Sequence, residues 1–257
     1  MKNWLICIDD TDDLGTKGTG EIADEIRQLL ELASEYGELK PSTQFVTRHQ
    51  LYVHPDIPYT SHNSAMCFRL CSDINLDAIK QICVEHLMKE CAPASDPGLA
   101  ILDLSTDYDI EKLITFGLQA KKQVLTKPEA YSLATELGID LSEHGGTGQG
   151  VIGALAGLGL RLSGNDGRVK GQITLKSENV SQGESDSDVT TLTVADVLEQ
   201  TQLQAVVATT GEQVNSDEVI NFTGKIKAVY INHQFTLLVS KDNGIWCNAT
   251  RQQLKPY

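Results

Sequence analysis

No apolar run in the 257-residue sequence is long enough to cross a membrane. The longest stretch without a polar side chain is Val151–Leu160, whereas a spanning helix needs about twenty residues. The start offers no export signal either. Trp4 to Ile8 is shorter than the roughly 7–15-residue apolar core of a signal peptide. The expectation is a cytoplasmic protein with no membrane partner. Positive charge is scarce: 35 Asp and Glu face 21 Lys and Arg, leaving a net charge of −14. No run of bases exceeds Lys121-Lys122. Phosphate backbones attract basic surfaces, so nucleic acid is a poor default partner. The six cysteines, at positions 7, 67, 71, 83, 91 and 247, form no CxxC pair. That argues against a zinc ribbon or a thioredoxin-type site. They read as reduced thiols, several of them in the core. The HExxH, GxSxG and Ser-His-Asp patterns are absent too, and with them the usual hydrolase signatures.

What is present makes a folded protein. Hydrophobic residues are 40% and charged residues 22% of the chain, enough for a core and too apolar for wholesale disorder. At roughly 150 residues per domain, the length fits one large domain or a large and a small one.

Trp4 to Ile8 reads as a buried strand running into acids. Ile22, Ile26, Leu29, Leu30 and Ala33 share one helical face, with Gly37 as the stop. Phe45–Val53 and Ala65–Leu70 read as strands, Leu76 to Glu90 as a helix, and Leu99–Leu102 as a strand after the turn Ser95-Asp96-Pro97-Gly98. This βαββαβ order predicts an α/β (α+β) fold with a ferredoxin-like core and helices on one face. Additional helices are expected at Ile110–Val124, after the capping box Thr126–Glu129, and at Val151–Leu160, whose Gly153, Gly157 and Gly159 read as close packing. Composition then shifts to Gly, Ser, Asn and Asp, with one strand-like run at Gln172–Leu175. We therefore expect a nucleotide-binding domain at 1–162, a flexible connection at 163–187, and a small β-rich domain at 188–257. The last holds a meander of Lys225–Ile231, Phe235–Ser240 and Ile245–Thr250, with turns at Asn232-His233 and Asp242-Asn243-Gly244.

Four constellations carry candidate chemistry. Asp9-Asp10-Thr11-Asp12-Asp13 follows the first strand directly. Four carboxylates in five residues are tolerated on a solvated loop or beside a cation. Strand ends are ligand sites in α/β sheets, and hard oxygens suit Mg²⁺. Next, Thr16-Lys17-Gly18-Thr19-Gly20 opens a helix. There, exposed N–H groups favour phosphate, although the spacing alone favours Thr19 as an ordinary N-cap. Lys17 is a point-charge phosphate contact or a solvated base. Third, Gly145 to Gly150 holds four glycines, including Gly146, Gly148 and Gly150, so backbone can approach a ligand. No Lys-Ser or Lys-Thr follows, so this is not a P-loop. The loop Pro58-Tyr59-Thr60-Ser61-His62-Asn63 is dense in polar donors.

At these residues the sequence resembles the archaeal tRNA(Ile) agmatidine synthase family, in its kinase-like domain. The matching blocks are Ile8-Asp9-Asp10-Thr11-Asp12 with Thr19; Pro55-Asp56-Ile57-Pro58-Tyr59 leading to Asn63; Pro97-Gly98; and Gly148-Gln149-Gly150-Val151-Ile152-Gly153-Ala154-Leu155-Ala156. The resemblance implies ATP and Mg²⁺ as cofactors. It also implies phosphorylation of a cytidine carbonyl in tRNA, followed by displacement with agmatine. On this resemblance Asp9, Asp10 and Asp12 hold metal and phosphate. Thr19 contacts or accepts phosphate, Asp9, Asp10 and Thr19 form the catalytic set, and Lys17, Gly18, Asn63, Gly146, Gly148 and Gly150 hold the nucleotide. In residues 161–257, which carry Cys247 alone, no counterpart of the family's OB-fold and cysteine zinc ribbon for tRNA is expected. With the acidic charge, this makes the expected reaction ATP- and Mg²⁺-dependent phosphoryl transfer to a carbonyl or carboxyl of a small molecule. An RNA-modifying enzyme and a non-catalytic nucleotide-binding regulator are the alternatives.

Overall fold

The computed structural model describes residues 1–34, 42–43, 45–57, 62–176 and 189–257. Gly37, the Pro58–Ser61 stretch and residues 177–188 of the expected connection lie outside the described residues. Two compact units emerge, Met1–Ser163 and Gly164–Tyr257.

The first unit runs β1 (Lys2–Asp9), α1 (Thr19–Leu32), β2 (Ser42–Thr43), β3 (Thr47–Gln50), β4 (Ser64–Ser72), α2 (Leu76–Glu90), β5 (Gly98–Asp103), α3 (Ile110–Gln119), α4 (Lys127–Leu137), β6 (Asp140–Glu143) and α5 (Gly150–Leu162). Its sheet has the order β6-β5-β1-β4-β3, with β2 also on β4. Every pairing is antiparallel. Strands β5-β1-β4-β3 have the ferredoxin-like order, in which each split βαβ leaves a gap that another strand fills.

Helices cover both faces of this sheet, not one. Trp4, Ile6 and Ile8 point into a core shared with Ile22, Ile26 and Leu30 of α1 and Ile79, Cys83 and Leu87 of α2. Leu5 and Cys7 point the other way, against Ala154, Leu155 and Leu158 of α5 and Leu113 of α3. Side chains alternate along a strand, so a strand buried on both faces must be apolar throughout. The unbroken run Trp4–Ile8 has that cause. Close packing of α5 needs its glycines. A Cβ on Gly157 would lie 2.3 Å from the Cys7 sulfur, and one on Gly159 would lie 2.1 Å from the Leu113 carbonyl oxygen.

Several boundaries differ from the sequence expectation, each for a local reason. The Phe45–Val53 run pairs only over Thr47–Gln50, because Tyr52 N–H leaves the sheet to donate to the Ala120 carbonyl. That carbonyl is thereby taken at the end of α3, which stops at Gln119 rather than Val124. α4 starts where Glu129 reaches back to the Thr126 N–H (2.7 Å) and ends at left-handed Gly138.

The second unit contains β7 (Arg168–Val169), β8 (Thr190–Thr193), α6 (Val194–Gln200), β9 (Ala205–Ala208), β10 (Val219–Phe222), β11 (Ala228–Ile231), β12 (Gln234–Asp242) and β13 (Ile245–Asn248). Its strands run β7-β11-β12-β13-β10-β8, with β9 parallel to β12. The expected meander is β11-β12-β13. Positive φ at Asn232, His233, Asn243 and Gly244 makes two-residue hairpin turns whose twist matches the strands. The Gln172–Leu175 run forms no strand; there Ile173 N–H donates to the Ile226 carbonyl. Among the described residues no helix is long and apolar enough to cross a membrane.

Candidate functional site

A cleft opens in the first unit where β1 ends. Asp9 is the last residue of β1 and pairs with Gly98 at the entry of β5. The chain then turns sharply through Asp10, which holds the left-handed conformation (φ 54°). Aspartate tolerates that region better than most residues, but at a cost in strain that is typical of functional turns. Asp9, Asp10, Asp12 and Thr19 line the cleft, and Asp56 adds a further carboxylate. Leu51, Ile57, Val124, Leu125 and Ile152 give the same cleft an apolar lining. Asn63, His62, Gln123 and Gln149 add polar groups along the walls.

The acidic part of the lining is electrostatically crowded. Asp9 is 7% exposed. Burial, then the charge of Asp10 and further that of Asp12, push its carboxyl well above the usual carboxylate range, while the Asp10 N–H works against them. Burial, then the charges of Asp96 and Asp12, push Asp10 up to about 6. The Asp9 carboxylate also sits directly against α5. A Cβ on Gly153 would lie 1.6 Å from Asp9 Oδ2, so only glycine leaves it room. Thr11 is buried, its carbonyl accepts the Ala92 N–H (3.0 Å), and among the described residues its hydroxyl has no hydrogen-bond partner.

Thr19 is not the cap of α1. Gly18 holds the N-cap position, and Thr19 begins the helix with its hydroxyl donating to Asp12 Oδ1 at 3.1 Å. The three expected metal ligands share the cleft, but among the described residues no three His, Cys, Asp or Glu side chains converge as a metal cluster. Asp12 turns toward α1 instead. Mg²⁺ commonly takes one or two carboxylates and fills its remaining positions with water and phosphate. The closely spaced, mutually repelling Asp9 and Asp10 fit that mode, and a bound cation would relieve their repulsion.

The other sequence candidates divide. Asn63 lines the cleft, and its Nδ2 donates to the Tyr52 carbonyl at 2.7 Å. Gly150 lines it as well, but its N–H donates to the Asp96 carbonyl at 3.0 Å. Lys17, Gly18, Gly146 and Gly148 are not among the lining residues. The Lys17 ammonium is committed to Glu25 (2.8 Å) and Glu90 (2.6 Å), which raise its pKa. Gly146 and Gly148 serve the turn itself. A Cβ on Gly146 would meet the Asp96 carboxylate, and one on Gly148 the Glu143 carboxylate.

Sequence reading misses the apolar lining and the part played by Gly153. Ile57, Val124 and Ile152 are far apart in the chain and share the cleft only in the fold. As sequence, Gly153 and Gly157 read only as helix packing. Together with Gly150 their spacing of three and four marks a single helix face, and that is the one signal available for Gly153.

No protein-family model matches the chain, and no curated protein sequence matches it. Among solved structures, a complex of TiaS with an isoleucine tRNA, AMPCPP and agmatine superposes with a TM-score of 0.50 and 23% identity over 62% of this chain. A complex of TiaS with an isoleucine tRNA and ATP gives 0.49 and 25% over 62%, and a tRNA fluorescent labeling enzyme gives 0.48 and 26% over 61%. The first of these establishes a shared fold. The chain spans 36% of the length of each of these three structures.

Proposed function

We propose that the cleft binds a nucleoside triphosphate with Mg²⁺ and passes its γ-phosphoryl group to a carbonyl or carboxyl oxygen, which an amine then displaces. One observation carries this reading: a single cleft combines crowded carboxylates with an apolar lining. Asp9 and Asp10, with Asp12 and Thr19 beside them, suit a metal-shielded triphosphate. The apolar lining of Leu51, Val124, Leu125 and Ile152 suits a flat nucleobase. Mg²⁺ held by Asp9 and Asp10 would neutralise phosphate charge. Phosphoryl transfer asks little more of the protein than positioning and charge stabilisation. In the transfer, the acceptor oxygen bonds to the γ-phosphorus as the bond to the nucleoside diphosphate breaks. In the displacement, the amine nitrogen bonds to the acceptor carbon, inorganic phosphate leaves, and the amine loses a proton. The Thr19 hydroxyl, at the head of α1, would turn from Asp12 to contact phosphate.

The shared fold supports this reading, since the TiaS structure that establishes it contains the nucleotide AMPCPP, agmatine and tRNA. The net charge of −14 favours a small-molecule acceptor over RNA. A thermal shift with ATP, with and without Mg²⁺, tests the proposal. Binding at a hundredfold excess over Kd adds about 2.7 kcal/mol of apparent stability. A shift that requires Mg²⁺ and disappears in Asp10→Asn is expected; no shift at millimolar ATP would remove the nucleotide from the account. If RNA is the acceptor, binding falls steeply with salt.

A further inference from the structure

Asp96 stands outside the cleft lining, and in the sequence it is only the second residue of a Pro-Gly turn, yet the glycine turn is built on it. Its Oδ1 accepts the Thr147 N–H, and its Oδ2 accepts the Thr147 hydroxyl at 2.6 Å. Its backbone carbonyl accepts the Gly150 N–H at 3.0 Å. Thr147 is gripped from the other side as well, because the Lys127 ammonium, paired with Glu143, donates to its carbonyl at 2.7 Å. The neighbouring Pro97 carbonyl accepts the His144 N–H at 2.8 Å. The same segment reaches the acidic loop. Gly98 pairs with Asp9, and Ala92 N–H donates to the Thr11 carbonyl. Residues 92–98 thus bracket two walls of the cleft, the acidic loop on one side and the head of α5 on the other.

We propose that Asp96 is a positioning residue, whose grip on Thr147 fixes the head of α5, with Gln149, Gly150 and Gly153, in register against Asp9 and Asp10. Its part in ligand binding rests on the nucleotide reading above; its part in ordering the turn does not. The bonds are charge-assisted, the stronger class of hydrogen bond. Gly145, Gly146 and Gly148 all carry positive φ and supply no side chains, so the side-chain contacts to Thr147, from Asp96 and from Lys127, supplement the backbone bonds in ordering the turn. A carboxamide at position 96 keeps an acceptor for the Thr147 N–H and offers a donor to its hydroxyl. Asp96→Asn is therefore the conservative rescue of Asp96→Ala.

Hydrogen–deuterium exchange of the free protein, followed by titration with Mg·ATP, tests this. Asp96→Ala is expected to speed exchange across residues 147–153 roughly tenfold or more, leaving α2 and β12 unchanged. Asp96→Asn should restore most of the protection. If the wild type binds Mg·ATP, Asp96→Ala should weaken it about tenfold and Asp96→Asn should recover most of the loss. Uniformly faster exchange would reduce Asp96 to a contributor to global stability and overturn the proposal. So would local loosening with unchanged affinity. If the wild type binds no Mg·ATP, the nucleotide reading fails, and the exchange pattern alone decides whether Asp96 orders the turn.

Discussion

The backbones of Gly98 and Gly150 touch. A Cβ on Gly98 would lie 2.1 Å from the Gly150 carbonyl carbon, and one on Gly150 would lie 2.7 Å from the Gly98 nitrogen. The start of β5 and the head of α5 therefore meet with no side chain between them, directly behind Asp9.

Gly98→Ala should force these segments apart. Overpacking of a rigid contact costs about 1–3 kcal/mol, and both neighbours here are backbone. Urea melts should show a loss in that range or above it, together with weakened Mg·ATP binding. A fully stable variant with normal binding would mean that the contact is looser than described.

Gly153→Ala should separate stability from binding. Alanine is the better helix former by about 1 kcal/mol, which offsets part of any strain. Its methyl group would occupy the space of Asp9 Oδ2, so the carboxylate must move. A protein that melts near the wild-type temperature but has lost its Mg-dependent ATP shift is expected. Retention of the full shift would show that Asp9 has no part in the ligand site.

The acidic loop should imprint a pH dependence on stability. Asp10, pushed up to about 6, holds its proton more tightly in the folded protein than in the unfolded chain, where aspartate titrates near 3.9. The contribution is fully present below about 3.9 and is lost as pH rises through about 6. Asp10→Asn should therefore be more stable than wild type near neutral pH, by something on the order of 1 kcal/mol after allowance for solvent screening. The difference should shrink toward acid. Mg²⁺ alone should stabilise wild type more at about pH 7.5 than at about pH 5, where it competes with the proton. Identical pH profiles for the two proteins would place the proton elsewhere.

Thiol labelling should report the two cores. Cys7, Cys67 and Cys83 are fully buried. Burial pushes Cys83 up to about 12 and raises Cys7 well above an ordinary thiol. Iodoacetamide at mildly alkaline pH should label the partly exposed Cys71 and Cys247 while these three stay unmodified until denaturant is added. Early modification of Cys7, read by mass spectrometry, would contradict the packing of α5 on β1.

Much of the frame is legible in the sequence because it follows local rules. The periodicity of Ile79, Cys83 and Leu87 places α2, and Asn232-His233 and Asn243-Gly244 place the hairpins. The position of the acidic loop follows from the strand before it. What depends on distant partners is not legible. The burial of β1 on its second face requires α5, about 150 residues away in the chain. The commitment of Lys17 requires Glu90, so a lysine well placed for phosphate in the sequence is an ion-pair member in the fold. Asp96 looks like the ordinary opening of a Pro-Gly turn, and nothing near it in the chain announces Thr147.

The central place of β1 has a consequence for how the cleft comes into being. Trp4 pairs with Leu70 on one side and with Asp103 on the other, so both ladders close long loops of chain. Such distant pairings pay loop-closure entropy before they return any contact energy, and they slow folding. Until β5 has docked beside β1, Asp9 has no Gly98 opposite it, Asp96 is not yet near Asp10, and the head of α5 has nothing to rest on. A sheet of β1, β4 and β3 alone would bury apolar surface yet enclose no cleft. The pairing of β5 with β1 therefore does two things at once: it extends the sheet and brings two walls of the cleft together.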